Sequence, residues 1–374
     1  MRAVITAGGT AGHVNPALAI ADEIMMRDPS SEVTFIGRKD GIEKTLVERA
    51  GYRLIELEVH GFMRSFSPAD IAFNMKAAVK ALSAYWQAKK QLRSMAPDIV
   101  VGCGGYVSGP VIRAAADIKL RTVIQEQNSY PGLTTRLLAK CADLIFCADE
   151  TGARFIGFPQ KTIVSGNPVR QDFFDADPAV IRERWNVGDR TFVLSYGGSN
   201  GSAGINRVAA AFMKRHWKQG SVFHAHATGA YAKNSFSELM TEFEIDYENS
   251  DAIKVFEYIE DMPSYYAASD LIISRAGALT IAEIQASGKA SVLLPSPNVT
   301  DNHQFFNAML LSDCGAALVY EQKDADAETI ADRLMQLIQD HELLKRMGDN
   351  AKASAIPGAA GTIYTRIRAF IDGE

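Results

Sequence analysis

The side chain in this sequence best suited to acid–base chemistry is His13, which closes the run Gly8-Gly9-Thr10-Ala11-Gly12-His13 between a short apolar stretch and a helical pattern from Asn15 to Met26. A helix N-terminus disfavours imidazolium and keeps a ring lone pair available, so His13 is a candidate general base. A histidine that merely makes a structural hydrogen bond would satisfy the same spacing. The run recurs in altered form where Phe192–Tyr196 feeds Gly197-Gly198-Ser199-Asn200-Gly201. A strand, a small-residue turn and a helix place unpaired backbone N–H groups where an anion can approach, and a Cβ there would hold it off.

A third such turn is Ser274-Arg275-Ala276-Gly277-Ala278-Leu279-Thr280-Ile281-Ala282-Glu283. Gly277 permits close approach of a diphosphate, Ala278 and Leu279 offer N–H groups, and Glu283 can accept from both hydroxyls of a ribose. The competing reading is a solvated helical glutamate. Glu126 and Asn128 end another strand, and Arg170 follows Gly166-Asn167-Pro168. In an open α/β sheet such strand-end polar groups face the ligand crevice, although each taken singly also suits a turn.

Several chemistries are excluded. Gly8-Gly9-x-x-Gly12 and Gly102-x-Gly104-Gly105 lack the dinucleotide spacing, and Gly288-Lys289 is followed by Ala290, so no phosphate-binding P-loop is present. Asp175/Asp177 and Asp324/Asp326 match Asp-x-Asp, but Asp177 precedes Pro178 and Asp326 precedes a helical run, which are capping positions. His224 and His226 share a strand face without a carboxylate or cysteine to complete a metal set. No metal or cofactor is implied.

The elements that position these residues follow from the pattern. At 374 residues two domains are expected, and 47% hydrophobic with 22% charged residues argues against disorder. A net charge of −5 argues against a general nucleic-acid binder. Cys103, Cys141, Cys147 and Cys314 lack metal or disulfide spacing and suit a reduced, cytoplasmic setting. A strand beginning by Ala3 leaves no room for a signal peptide, and no apolar run is long enough to span a bilayer. Candidate strands are 3–7, 32–36, 54–59, 99–102, 122–126, 144–148 and 162–165, then 192–196, 222–228, 253–256, 271–274, 291–294 and 316–319, alternating with helices. The fold class is α/β, with two doubly wound parallel sheets. The boundary is expected within 166–189, and Pro357-Gly358 sets off a last helix that packs away from the second domain.

Residues 67–93 read as a helix opened by Ser67-Pro68-Ala69-Asp70. Ile71, Met75, Val79, Leu82 and Trp86 form one stripe flanked by Lys76, Lys80 and Lys90. Periodicity alone assigns that stripe to packing on the sheet. Phe62, Met63, Arg64 and Phe66 just before it are harder to bury, and an apolar patch edged by lysines suits an anionic membrane surface.

Taken together, Gly8–His13, Gly104-Gly105-Tyr106-Val107-Ser108-Gly109-Pro110, Glu126-Gln127-Asn128, Gly166–Arg170, Gly197–Ser199, Arg275–Thr280 and Asp301-Asn302-His303-Gln304 resemble bacterial members of glycosyltransferase family 28 over nearly the whole chain. The family converts lipid I to lipid II in peptidoglycan synthesis. The resemblance implies a GT-B fold, two Rossmann-like domains facing across a cleft. It implies inverting transfer of N-acetylglucosamine from UDP-N-acetylglucosamine to the muramoyl 4-hydroxyl at the cytoplasmic face of the cell membrane, as a peripheral protein on the anionic leaflet. By resemblance, 1–166 with helix 359–374 takes the acceptor and the membrane, 167–189 links, and 190–358 holds the donor. Donor contacts carried over are Thr10, Ala11, Gly12, Asn128, Arg170, Ser199, Ile259, Ala278, Leu279, Thr280, Glu283 and Gln304, with Ile259 meeting uracil through its backbone. His13 is the expected base and Glu126 the alternative. Ala11 stands where the family often has glycine, and Gln125 where some members have histidine; neither change removes a reacting group. The alternative activity on the same architecture is a UDP-N-acetylglucosamine 2-epimerase.

Overall fold

The computed structural model describes residues 1–61, 67–230, 233–297, 299, 302–323 and 326–373, the side chains of 68, 69, 71, 72 and 233 excepted. Phe62, Met63, Arg64, Phe66, Asp301, Asp324 and the Ile71 side chain, all singled out above, lie outside the described residues. The chain forms two compact units, Met1–Val169 with Ile356–Glu374, and Arg170–Ala355.

In the first unit the order is β1 (Arg2–Thr6), α1 (Ala11–Arg27), β2 (Glu32–Arg38), α2 (Ile42–Arg49), β3 (Arg53–Leu57), α3 (Pro68–Met95), β4 (Ile99–Gly102), α4 (Ser108–Asp117), β5 (Thr122–Glu126), α5 (Leu133–Leu138), β6 (Leu144–Cys147), α6 (Glu150–Ile156) and β7 (Thr162–Val164). The seven strands pair in parallel in the order β3-β2-β1-β4-β5-β6-β7. Alternate residues of these buried strands feed two cores, as a sheet covered on both faces requires. Val4, Ile36, Val100, Ile124 and Ile145 pack with α3, α4, α5 and α6 through Leu92, Val111, Leu138 and Ile156. Ile5, Phe35, Val101, Val123 and Phe146 pack with Ile20 and Ile24 of α1 and Val47 of α2.

The second unit runs α7 (Asp172–Asp175), α8 (Ala179–Arg184), β8 (Thr191–Tyr196), α9 (Ala203–His216), β9 (Val222–Ala227), α10 (Lys233–Glu242), β10 (Ile253–Phe256), α11 (Met262–Ala268), β11 (Leu271–Ser274), α12 (Ala278–Ser287), β12 (Ala290–Leu293), α13 (His303–Asp313), β13 (Ala317–Val319), α14 (Ala327–Leu337) and α15 (His341–Ala353). Its strands are again parallel, in the order β10-β9-β8-β11-β12-β13. The boundary segment 167–189 carries α7 and α8, anchored here by Phe173 on Tyr266, Trp185 Nε1 to the Tyr265 hydroxyl, and Arg182 to Asp270. After Pro357-Gly358, α16 (Ala359–Asp372) returns to the first unit, with Ile363 and Ile367 in the core that holds Ile20 and Ile24.

Strand order reverses between β1 and β4 in one sheet and between β8 and β11 in the other. Neighbouring turns diverge there, and the carboxyl ends of the strands are left open to a ligand.

His224 and His226 belong to a buried chain of groups inside the second unit. The Ser195 hydroxyl lies 2.7 Å from both His224 Nε2 and His226 Nδ1, and His216 Nε2 lies 3.2 Å from His224 Nδ1. Burial pushes His216 down to about 4 and His226 to about 3, so all three rings are neutral at physiological pH.

The stripe on α3 corrects an expectation. Met75, Val79, Leu82 and Trp86 are 59–69% exposed. The buried face is Ala77, Ala84, Ala88 and Leu92. α3 lies against the sheet and α4 through alanines, and a stripe of bulky side chains cannot enter so close a contact. Each large side chain left in water forgoes about 1.5–3 kcal/mol of burial.

Candidate active site

In the first unit the turns after β1 and β4 meet backbone to backbone. Gly105 has φ +81°, and a Cβ on it would lie 2.0 Å from the Gly8 carbonyl oxygen. The helix begins earlier than its proline suggested: α1 starts at Ala11 with Thr10 as N-cap, and Pro16 lies inside it, removing one hydrogen bond to the Gly12 carbonyl. His13 is therefore in the first helical turn. Thr10 makes no side-chain cap and the first turn holds no acid, so the leading N–H groups of α1 keep their pull on a lone pair or an anion. The His13 ring lies over Gly104, and its Nδ1 is 2.8 Å from Gln127 Oε1.

The Gly8-Gly9 turn does not present all of its N–H groups outward. Glu43, only 1% exposed, accepts from the Gly9 N–H at 3.3 Å and from the Arg38 N–H at 2.8 Å. This carboxylate ties the turn after β1 to the turn after β2. Nothing in the pattern around Glu43 announced it; the signal was the glycines that make room for it. A Cβ at Gly8, Gly37 or Gly41 would come within 2.2–2.8 Å of Glu43 atoms.

Glu126 is 3% exposed and its carboxylate is surrounded by donors. Oε1 accepts from the Asn128 N–H and side-chain amide, both at 3.0 Å; Oε2 accepts from the Gly132 N–H at 3.2 Å and from the Thr135 hydroxyl. It organises the loop from β5 to α5 and fixes Asn128. Gln125 Nε2 donates to Asn167 Oδ1 at 3.0 Å, and Asn167 Nδ2 donates to the Gln127 carbonyl at 2.9 Å, so the Gly166-Asn167-Pro168 turn is bound to the end of β5.

In the second unit the candidate residues cluster at the carboxyl ends of the strands. α12 starts after Gly277 with no side-chain cap and no acid in its first turn, leaving the N–H groups of Ala278, Leu279 and Thr280 at its positive end. One turn later, half-buried Glu283 accepts from the Tyr266 hydroxyl at 3.3 Å, and Tyr266 in turn pairs with the Tyr196 hydroxyl. Burial pushes the Glu283 carboxyl up to about 7, against the opposing pull of Tyr266 and the Arg170 guanidinium. Arg170 is exposed, stacked over Phe173 at 5.7 Å and 3.8 Å from Asp172.

Ser199, Ile259 and Gln304 stand on three further segments, after β8, β10 and β12. Ser199 is exposed, and its carbonyl accepts from the Ala230 N–H. Ile259 is 4% exposed. Gln304 accepts from the Ser296 N–H at 2.8 Å, so its amide nitrogen is the end that can offer hydrogens to a ligand. Arg275, prominent in the motif, is used internally: it donates to the Leu294 and Pro295 carbonyls and to Gln322. Asp177 accepts from the Ala179 N–H and Asp326 from the Thr329 N–H, both helix starts. Among the described residues no group of three His, Cys, Asp or Glu side chains could hold a metal ion.

Residues 3–147 match the glycosyltransferase family 28 N-terminal domain and residues 192–363 its C-terminal domain. The chain is 36% identical over 369 residues to the UDP-N-acetylglucosamine–N-acetylmuramyl-(pentapeptide) pyrophosphoryl-undecaprenol N-acetylglucosamine transferase of Caldanaerobacter subterraneus subsp. tengcongensis, covering 98% of this chain and 99% of the relative. The chain belongs to the MurG family of glycosyltransferases. The crystal structure of Acinetobacter baumannii MurG superposes with a TM-score of 0.74 at 28% identity, covering 98% of this chain and 99% of that one. Two doubly wound parallel units in this family constitute the GT-B fold. The UDP-GlcNAc 2-epimerase of Neisseria meningitidis, solved bound to UDP-GlcNAc, shares that fold with a TM-score of 0.66 at 13% identity, over 98% of this chain and all of its own. That likeness is one of architecture alone.

Gly41 has φ −98° and ψ 162°, a conformation any residue adopts, so only Glu43 demands a glycine there. Gly41→Ala is expected to destabilise the protein by about 1–3 kcal/mol in urea unfolding, in the range of overpacking a filled site. In a Glu43→Ala background most of that penalty should vanish. Additive losses in the double variant would show that Glu43 and Gly41 do not share the space.

Proposed function

We propose that this protein transfers N-acetylglucosamine from UDP-N-acetylglucosamine to the 4-hydroxyl of the muramoyl sugar of lipid I, with inversion, giving lipid II. The observation that carries this is the match to transferases of that activity along essentially the full length of both chains. In the reaction His13 takes the hydroxyl proton as the acceptor oxygen bonds to C1. The bond from C1 to the diphosphate breaks in the same displacement, and its electron pair leaves with UDP. The first unit takes the acceptor, and its Thr10, Ala11, Gly12 and Asn128 are contacts for the donor. The second unit holds the donor: the start of α12, Ser199 and Arg170 bear the diphosphate charge, Ile259 the uracil, Glu283 the ribose and Gln304 the sugar hydroxyls. Glu126, with every carboxylate lone-pair direction engaged, holds Asn128 in place and is the weaker candidate for the base.

Incubation with UDP-N-acetylglucosamine and a short-chain lipid I analogue should yield UDP and the disaccharide product, with no turnover of the donor alone. Turnover of UDP-N-acetylglucosamine without acceptor, giving its 2-epimer, would establish the epimerase reading instead.

The raised carboxyl of Glu283 gives the donor site a pH dependence of known sign. Only the carboxylate accepts from both ribose hydroxyls, and with a value of about 7 the group is mostly protonated at pH 6 and mostly ionised at pH 8. UDP affinity should therefore rise by about tenfold between those pH values, in proportion to the ionised fraction. In Glu283→Gln this component should be absent by calorimetry, leaving only the dependence due to UDP's own phosphate. An identical pH profile in both proteins would place Glu283 outside the site.

Among the described residues no helix is long and apolar enough to cross a membrane. Contact with the cytoplasmic face of the cell membrane would use the exposed stripe of α3, Met75, Val79, Leu82 and Trp86, with exposed Lys76 and Lys90 beside it. Val79→Ser with Leu82→Ser should lower cosedimentation with anionic vesicles while sparing activity on a soluble acceptor. Unchanged cosedimentation would remove α3 from the contact.

A further inference from the structure

Geometry around His13 determines which ring nitrogen carries its hydrogen. Gln127, 3% exposed, faces Nδ1 at 2.8 Å with its amide oxygen. That orientation is fixed from behind. Gln127 Nε2 lies 2.9 Å from the Cys103 carbonyl oxygen and 3.0 Å from the Gln125 carbonyl oxygen, and it also meets Gln125 Oε1. Three oxygens around one amide atom require that atom to be the nitrogen; the flipped amide would set oxygen against oxygen three times over. The oxygen turned to His13 can only accept. Nδ1 therefore bears the hydrogen, and the lone pair belongs to Nε2. Gly104 makes the arrangement possible, because a Cβ there would lie 2.7 Å from Nδ1.

We infer that Gln127 is a positioning residue for the transfer reaction: held by the Cys103 and Gln125 carbonyls, it fixes His13 as the Nδ1–H tautomer and so leaves Nε2 as the basic atom. This rests on the reading of His13 as the base. A neutral amide suits the task differently from a carboxylate. It orients the ring and accepts one hydrogen bond without an adjacent negative charge to hold the imidazole protonated. Glu126, next to it in sequence, cannot substitute, since its carboxylate is committed to Asn128, Gly132 and Thr135.

The test reads the tautomer directly. In protein labelled with ¹⁵N-histidine, with the His13 signals identified by their loss in His13→Gln, the wild type at pH 8 should show a protonated Nδ1 and an unprotonated Nε2. Finding the hydrogen on Nε2 would overturn the inference without any substitution of Gln127. Gln127→Met, similar in volume but without the acceptor, should move the hydrogen to Nε2 and lower kcat by about 100-fold or more with KM for both substrates retained. Gln127→Glu should shift the acidic limb of kcat upward by about one pH unit or more, as a carboxylate beside an imidazole favours its protonated form. A Gln127→Met variant with wild-type kcat, or a Gln127→Glu profile identical to the wild type, would also overturn it. If His13→Gln itself turns over normally, the base assignment falls regardless of the tautomer, which separates failure of that reading from failure of this one.

Discussion

The contact on which the first unit depends is the one between two turns that have no side chains where they touch. Gly105 leaves no room for a Cβ beside the Gly8 carbonyl, and Gly104 gives the His13 ring a bare surface. β1 and β4 are neighbours at the point where strand order reverses, so their turns leave the sheet side by side and must share one space. Only glycine satisfies both the closeness and the positive φ of 81–97° at these two positions. With the turns locked, the first turn of α1, the end of β5 and the start of α2 have fixed places relative to His13.

Carboxylates divide by the company they keep. Glu43 and Glu126 are nearly inaccessible and are surrounded by N–H and hydroxyl donors supplied by the chain itself. They act as internal anions that hold loops, and removing either would take this acceptor from those donors. Glu283 has Tyr266 as its bonded partner, is half-buried, and is raised to about 7. A carboxyl that is desolvated yet sparsely bonded retains capacity for a ligand's hydroxyls; one already saturated does not.

A similar contrast governs α3 and the buried histidines. Small residues of α3 face the sheet and the large ones face water, the reverse of the usual distribution, which costs burial energy that a folded chain on its own does not recover. In the second unit three imidazoles and a serine fill a core position with mutual hydrogen bonds, so polar side chains there serve packing rather than chemistry.

The sequence by itself determined the class of fold, the alternation of elements, most strand positions to within a residue or two, and the family. Those follow from local periodicity and from turns whose glycines are visible in the string. It also placed Glu126 and Asn128 at a strand end, and Thr10–His13 and Ala278–Glu283 in the turns and helix starts that follow strands. What it left open required distances across the sheet. The helical period of α3 identified the bulkier stripe, but the nearness of the sheet and α4 admits only the small side chains of Ala77, Ala84 and Ala88, and hydrophobicity along the chain does not encode that distance. Pro16 resembled a helix start, yet the helix begins at Ala11. Gln127 stands in the string only between Glu126 and Asn128, with no role assigned to it, and Glu43 carries no motif of its own. Their roles come from partners 114 and 34 residues away in the chain, His13 and Gly9, and only tertiary folding brings such groups within hydrogen-bond reach.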